Sequence, residues 1–225
     1  INTPLTEDNT YYLEPLDKII DDLHKMNYYN IVVRSTVTPD YCKSKGVVFF
    51  PEFLTEKNWN QDFYNCPAWI IGIDNENNPV KDIMMNIINT AHKHQRIKYN
   101  NIIFTTSTNA SLCKLVRNSF LATKVSFFNE IYQLCNKIDI NYNEELRDLI
   151  IQDPRIGASH TMVPCGGQTG FSKTCFPKDS SALSQYIKDK GAKSIVLDSM
   201  IYRNETIDRP EQEWRNDSRS YKRNN

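Results

Sequence analysis

The first part of the chain alternates short apolar, β-branched runs with segments of helical periodicity. The pattern predicts helices over residues 13–26 and 79–94 and strands over residues 30–37, 46–50, 69–73 and 101–104. Thr38-Pro39 closes the first strand and Pro51 stops the second. Strands that are separated by helical segments favour an α/β unit with a parallel sheet, which we expect here.

The second part is helical. Between residues 109 and 138 the chain has neither Gly nor Pro, so one helix of about 45 Å is predicted at 1.5 Å per residue. Its apolar positions are Leu112, Val116, Phe120, Phe127, Ile131, Leu134 and Ile138. Shorter helices are predicted over residues 144–151, 179–190 and 194–208, and the polar tail 215–225 is expected to be frayed. These patterns suggest three regions, at residues 1–106, 107–210 and 211–225.

Composition narrows the class of protein. The formal net charge is +0 and the pI is near 7.0, so nucleic acid and anionic membranes are not expected partners. Six cysteines without a CxxC pair favour reduced thiols in the cytoplasm, and the four histidines lack the spacing of metal ligands. Abundant Asn, Ile, Lys and Tyr are typical of an A/T-rich genome, such as that of a large virus or a protist.

One cysteine stands out because of its neighbours. Cys175 follows a loop that begins at Gly170, and Pro177, Lys178 and Asp179 come directly after it. A thiol beside a lysine and near a helix N-terminus lies where the thiolate is favoured. Such a thiolate is a nucleophile, and the Asp179 carboxylate is close enough to orient water or a proton. The alternative is a buried structural cysteine after a turn.

Polar residues also follow the first two predicted strands. Ser35 and Thr36 end the first strand, and Glu52 and Glu56 follow the second. Ligands bind at the carboxyl ends of strands in open α/β sheets, where two carboxylates can bind sugar hydroxyls or act as acid and base. The alternative is a solvated helix start with favourable negative charge.

Two polar residues border the apolar stripe of the long helix. Lys114 and Asn118 are four residues apart and therefore share a face. Either residue can reach a site while the helix packs, or Lys114 lays its stem along apolar surface and keeps its ammonium in water.

Five segments together resemble the UDP-glucose/GDP-mannose dehydrogenase family, and within it the UDP-glucose 6-dehydrogenases. In chain order they are residues 35–37, 51–56, 109–130, 153–157 and 170–179. The resemblance implies the carboxyl-terminal part of a Rossmann-type parallel sheet, followed by an all-helical central dimerisation region with one long helix. It also implies NAD as cofactor, UDP-glucose as first-choice substrate and a homodimer formed through the long helix.

The resemblance further implies the chemistry. The C6 alcohol of the sugar is oxidised to a carboxylate with two NAD in succession, through a cysteine thioester that water hydrolyses. Cys175 matches the nucleophile, and Lys114 and Asn118 match the groups that stabilise the oxyanion. Glu52 matches the acid/base and hydrolytic carboxylate. The residues that match the pair orienting water are Thr36 and Asp179.

Binding roles follow from the same resemblance. Cofactor-contacting positions match Thr3, Ser35, Thr36, Glu56 and Lys178. Substrate-binding positions match Glu52, Phe53, Leu54, Lys114, Asn118, Arg155, Gly170 and Phe171, with Arg155 reaching a nucleotide sugar held by the neighbouring subunit.

Two departures leave alternatives open. The chain has no G-x-G-x-x-G turn after a predicted strand, so we expect that it opens inside the cofactor-binding domain. It also carries Ser172-Lys173 where the family pattern has two glycines. The alternatives are a degenerate relative kept as a structural or binding subunit, and the same chemistry on a UDP-N-acetyl-hexosamine or GDP-mannose.

Overall fold

Four short strands of mainly apolar residues form one sheet in the computed structural model, which describes residues 1–222. In spatial order they are β1 (Val32–Val33), β2 (Val48–Phe49), β3 (Trp69–Gly72) and β4 (Ile102–Thr105). β1 pairs with β2 and β3 with β4 in parallel, as expected, and the α/β class is confirmed.

The sheet differs from the expectation at its centre, where β2 and β3 are antiparallel, with Phe49 opposite Gly72. Parallel neighbours need a crossover connection, usually a helix packed on the sheet. The only helix between these two strands, Trp59–Tyr64, has no buried residue. The connection is therefore not a packed crossover, and the sheet is mixed.

Helices and helical turns make up about half of the described chain. They are α1 (Glu14–Lys25), α2 (Tyr41–Lys45), α3 (Trp59–Tyr64), α4 (Val80–Lys93), α5 (Ser107–Lys137), α6 (Arg147–Ile150), α7 (Cys175–Asp189) and α8 (Ile195–Arg203). Two π-helical turns cover Tyr142–Leu146 and Asn204–Asp208, and a 3₁₀ turn covers Glu213–Asn216. No helix within residues 1–222 is both long and apolar enough to span a bilayer.

The chain divides into two compact units, and the division falls within α5. Unit 1 comprises Ile1–Thr3 and Tyr11–Lys114, and unit 2 comprises Pro4–Thr10 and Leu115–Asn225. The core of unit 1 has two clusters. One of them includes Leu16 and Ile20 of α1 with Phe49 of β2, and the other includes Ile71 of β3 with Met84 and Ile88 of α4.

The start of α5 is fixed against the end of β3. A Cβ atom added to Gly72 would lie 2.5 Å from the Ser107 Cα, so only glycine permits this close approach. The Asp74 carboxylate accepts hydrogen bonds from the Ser107 amide at 3.2 Å and from its hydroxyl. These contacts fix where the first turns of α5, and hence Lys114, lie within unit 1.

In unit 2 the long helix buries one side and leaves apolar residues on another. Ala122 packs with Phe171 and Met200, and Phe128 packs with Tyr142. Four apolar side chains of α5 and the residue directly after it are more than half exposed: Val116, Phe120, Phe127, Leu134 and Ile138. Most of the predicted stripe therefore lies at the surface of the described chain.

The frayed tail was a wrong expectation for the part that the structure describes. Ser220 and Tyr221 are buried, and Leu5 pairs with Tyr221 through hydrogen bonds to Ser220 and Lys222. Burial of Tyr221, together with that of Trp214 directly before the tail, stabilises this segment through removal of aromatic surface from water. The last part of the predicted tail, residues 223–225, lies outside the described residues.

Candidate active site

Unit 1 brings the predicted cofactor residues at the end of β1 together. Thr3 is buried, and its hydroxyl donates a hydrogen bond to the Thr36 carbonyl at 2.6 Å. The Ser35 hydroxyl donates to the Ile1 carbonyl at 2.7 Å. The segment 1–3 thus lies beside the carboxyl end of β1, which is where ligands bind in open α/β sheets.

Lys114 is directed toward the segment after β2. The residue is 6% exposed, and its ammonium donates to the Glu52 carbonyl at 2.8 Å. A lysine that only covers apolar surface keeps its ammonium in water, so this burial contradicts that alternative. The Glu52 carboxylate is about half exposed and lies 3.5 Å from Arg34. The side chain of Glu52 is therefore accessible beside a fixed positive charge.

The segment that carries Glu52 is held by a residue that the sequence analysis missed. The Asp62 carboxylate accepts hydrogen bonds from the Thr55 amide at 2.8 Å and from its hydroxyl at 2.5 Å. Glu52, Phe53 and Leu54 line a small pocket, whereas Glu56 is exposed. Three of the four predicted residues on this segment therefore share one depression.

Cys175 is the first residue of α7, so this helix begins four residues before the expected start at Asp179. Pro177 is compatible with this earlier start, because the first amides of a helix have no acceptor within the helix and proline is tolerated there. The thiol is exposed and lies 3.7 Å from the Thr174 hydroxyl. It therefore sits at the positive end of a 15-residue helix, where an anion is favoured.

A buried carboxylate lies one helical turn after Cys175. Asp179 is 1% exposed and accepts hydrogen bonds from the Asn118 amide at 2.6 Å and the Lys178 ammonium at 3.0 Å. Residues four apart share a helix face, so Cys175 and Asp179 do so. The structure thus brings four predicted residues together in unit 2: Asn118, Cys175, Lys178 and Asp179.

The loop that precedes Cys175 is held by two asparagines that the sequence analysis missed. Asn129 accepts from the Gly170 amide at 2.9 Å, and Asn204 binds both the amide and the carbonyl of Phe171, at 2.8 and 3.0 Å. Their partners are distant in sequence, so no local signal identifies them. Gly170 and Phe171 are consequently fixed in position.

The two residues that depart from the family pattern differ in their environment. Lys173 is exposed and has φ 66°, a conformation that glycine adopts at little cost and other residues rarely adopt. Ser172 donates a hydrogen bond to the Glu213 carboxylate. The backbone at Lys173 therefore keeps a glycine-like conformation with a lysine side chain in place.

Arg155 presents an exposed, oriented guanidinium. Its side chain is 88% exposed, and Asp153 binds it through both carboxylate oxygens, the shortest contact being 2.6 Å. These hydrogen bonds from Arg155 lower the pKa of Asp153. Lys124 donates to the Ile156 carbonyl at 2.6 Å and so ties this loop to α5. Within residues 1–222 no three His, Cys, Asp or Glu side chains are grouped so that they could hold a metal ion.

Known proteins match nearly the whole chain. Residues 108–206 match the UDP-glucose/GDP-mannose dehydrogenase family, central domain. UDP-glucose 6-dehydrogenase of Rickettsia bellii is 35% identical over 208 residues, which are 88% of this chain and 45% of that protein. The chain thus spans about half the length of the curated relatives that it matches.

Solved structures share the fold. A UDP-glucose dehydrogenase from Pyrobaculum islandicum matches with a TM-score of 0.77 at 23% identity, over 92% of this chain and 49% of that chain. GDP-mannose dehydrogenase from Pseudomonas aeruginosa matches with a TM-score of 0.58 at 23% identity, over 92% and 50%. The family match over residues 108–206 and the 35% identity to the Rickettsia bellii protein show that the chain belongs to the UDP-glucose/GDP-mannose dehydrogenase family.

Proposed function

We propose that this chain carries the catalytic centre of an NAD-dependent nucleotide-sugar dehydrogenase that oxidises the C6 alcohol of UDP-glucose to a carboxylate. One observation carries the proposal. An exposed thiol begins α7, and the buried Asp179 one turn later holds Asn118 and Lys178 by hydrogen bonds. A structural cysteine needs neither exposure nor such a neighbourhood.

Each residue has a role that suits its environment. The Cys175 sulfur forms a bond to the C6 aldehyde, and loss of hydride from that adduct gives a thioester. Asn118 and Lys114 supply a hydrogen-bond donor and a positive charge for the oxyanion, since both are held in fixed positions. Glu52, with its accessible carboxylate, activates the water that cleaves the thioester and releases the thiol.

The residues that would hold NAD fit that role. Thr3, Ser35 and Thr36 lie together after β1, at the carboxyl end of the strand. Their hydroxyl groups and carbonyls offer the polar contacts that a dinucleotide ribose needs. NAD, when bound, supplies the hydride acceptor for both oxidation steps.

The test compares two exposed cysteines of unit 2. Cys175→Ala is expected to abolish NAD reduction with UDP-glucose, because no other thiol replaces the nucleophile. Cys165→Ala is the matched control, since Cys165 is also exposed, and it is expected to keep wild-type activity. Equal activity of Cys175→Ala and wild type would contradict the mechanism.

The position of the Lys173 side chain supports one alternative, in which UDP-glucose is a poor substrate of this protein. This side chain lies two residues before the nucleophile and in a backbone conformation typical of glycine. Ser172→Gly combined with Lys173→Gly is expected to raise turnover several-fold if the side chains obstruct the sugar. A loss of turnover would instead assign Lys173 to substrate binding, and a panel with GDP-mannose and UDP-N-acetyl-hexosamines identifies the preferred sugar. A chain inactive in both forms would support the structural or binding subunit.

We also infer that the exposed apolar side chains of α5, with Ile138 directly after it, form a homodimer interface. Val116, Phe120, Phe127, Leu134 and Ile138 are spaced by four or seven residues, as in packed helix pairs. Exposed apolar surface of this kind is typical of an interaction site. The exposed Arg155 guanidinium is then available to a nucleotide sugar in the other subunit.

Light scattering tests the dimer. Phe120→Asp with Phe127→Asp is expected to give a monomer at micromolar concentration, because two charges would be buried in the interface. Ile87→Asp on α4 is the matched control, since Ile87 is 55% exposed and lies on another helix. A wild-type protein that is monomeric at that concentration contradicts both the dimer and the role of Arg155 across subunits.

A further inference from the structure

A buried guanidinium binds the start of the loop that leads to Cys175. Arg209 is 9% exposed. Its Nη1 donates to the Thr169 carbonyl at 3.3 Å and its Nη2 to the Gln168 side-chain oxygen at 2.5 Å. These contacts join residues forty or more positions apart in the sequence. The cation thus ties the segment after α8 to the first residues of the loop.

The same guanidinium reaches the far end of the loop through a carboxylate. Arg209 forms an ion pair with Glu213, and Glu213 also accepts a hydrogen bond from the Ser172 hydroxyl. Burial raises the pKa of Glu213, but the bonds from Arg209 and Ser172 outweigh it and lower that pKa overall. The carboxylate therefore stays charged and bound to both partners at neutral pH.

The backbone places Arg209 where it can make these contacts. The π-helical turn Asn204–Asp208 ends in a hydrogen bond from the Arg209 amide to the Asn204 carbonyl at 2.8 Å. A Cβ atom on Gly170 would lie 3.2 Å from the Arg209 Cβ, so the loop packs directly on this residue. Only a planar guanidinium offers several donors in one fixed plane, which an ammonium on a lysine does not.

We propose that Arg209 is a positioning residue for Cys175. By binding Gln168 and Thr169 directly and Ser172 through Glu213, it holds the loop whose end sets the first turn of α7. Reaction rates are sensitive to displacements of about 1 Å at the reacting atom, so a looser loop lowers the rate of the chemical step. This inference rests on the proposed function only in assigning Cys175 to catalysis.

The test uses the full-length natural protein with Arg209→Gln and Arg209→Lys. Both variants are expected to exchange the amide hydrogens of residues 170–176 about tenfold faster than wild type. With UDP-glucose and NAD, kcat is expected to fall about tenfold while KM for NAD changes less than about twofold. Arg219→Gln is the matched control, since Arg219 is bound by Asp217 two positions earlier in the sequence, and it is expected to change neither quantity.

Lysine is expected not to rescue, because one ammonium does not span acceptors on three residues. Glu213→Gln removes the charge that pairs with Arg209 and accepts from Ser172, but it leaves the Arg209 contacts with Gln168 and Thr169 in place. It therefore keeps the test decisive if Arg209 variants unfold, and it is expected to speed exchange at residues 172–174. Wild-type exchange in Glu213→Gln and Arg209→Gln, or full rescue of kcat by lysine, would overturn the inference. Absence of turnover in wild type would refute the proposed function alone, because hydrogen exchange still measures the effect on the loop.

Discussion

Of the three glycines at positions 166, 167 and 170, ahead of Cys175, Gly170 should tolerate substitution least. It has φ 68°, which costs a residue with a Cβ about 1–2 kcal/mol. A Cβ there would also lie 2.6 Å from the Asn204 Oδ1, the atom that accepts the Phe171 amide. If Asn204 moves away, a buried amide loses its acceptor, at a further cost of about 1–3 kcal/mol. Gly170→Ala is therefore expected to reduce the free energy of unfolding by about 2–5 kcal/mol.

Gly166 provides the matched control. It has φ 61°, and a Cβ there would meet nothing within 4 Å, so Gly166→Ala should cost only the backbone term of about 1–2 kcal/mol. Urea denaturation followed by circular dichroism measures the free energy of unfolding of both variants. A shift of the midpoint reports a change in stability where the m-value is the same as in wild type. Equal destabilisation of the two variants would refute the close packing of Gly170 on Asn204.

Two further predictions concern charged groups. Asp179→Ala is expected to destabilise the fold by about 3–5 kcal/mol, because it leaves the buried Lys178 ammonium without this carboxylate. The double variant Asp179→Ala with Lys178→Met should recover part of that loss, and no recovery in urea denaturation would contradict this reasoning. Burial raises the pKa of Asp17, but hydrogen bonds from Lys45 and Tyr41 lower it overall from 3.8. Its contribution is therefore present above pH 3.8 and lost as the pH falls through the lowered value, so Asp17→Asn should be less stable than wild type at neutral pH and equally stable in strong acid. A difference that persists in strong acid would show another cause.

Regular periodicity identified the elements that position the site. The helical spacing over residues 79–94 and 109–138 corresponds closely to α4 and α5, because long amphipathic patterns need no tertiary information. The short helix α2 was missed, since five residues carry too little periodicity to be recognised. The start of α7 was placed four residues too late because Pro177 also suits a loop.

Local sequence also indicated which residues are candidates for the chemistry, but not how they are held. Lys178 and Asp179 follow Cys175 by three and four positions in the chain, so their proximity follows from helical geometry. Asn118 meets Asp179 across 61 positions of sequence, and Asn204 meets Phe171 across 33. Contacts of this range depend on packing of the whole unit, and a single sequence contains no periodic signal for them.

Trapping of a covalent intermediate tests the central claim most directly, namely that Cys175 is the nucleophile. Glu52→Gln removes the carboxylate proposed to activate water, so the sugar is expected to remain attached to the enzyme as a thioester. The variant is mixed with UDP-glucose and NAD, quenched in acid, digested and analysed by mass spectrometry. The account predicts a nucleotide-sugar adduct on the peptide that contains Cys175, and none in Glu52→Gln combined with Cys175→Ala. An adduct on another cysteine, or rapid turnover by the Cys175→Ala protein, would contradict it.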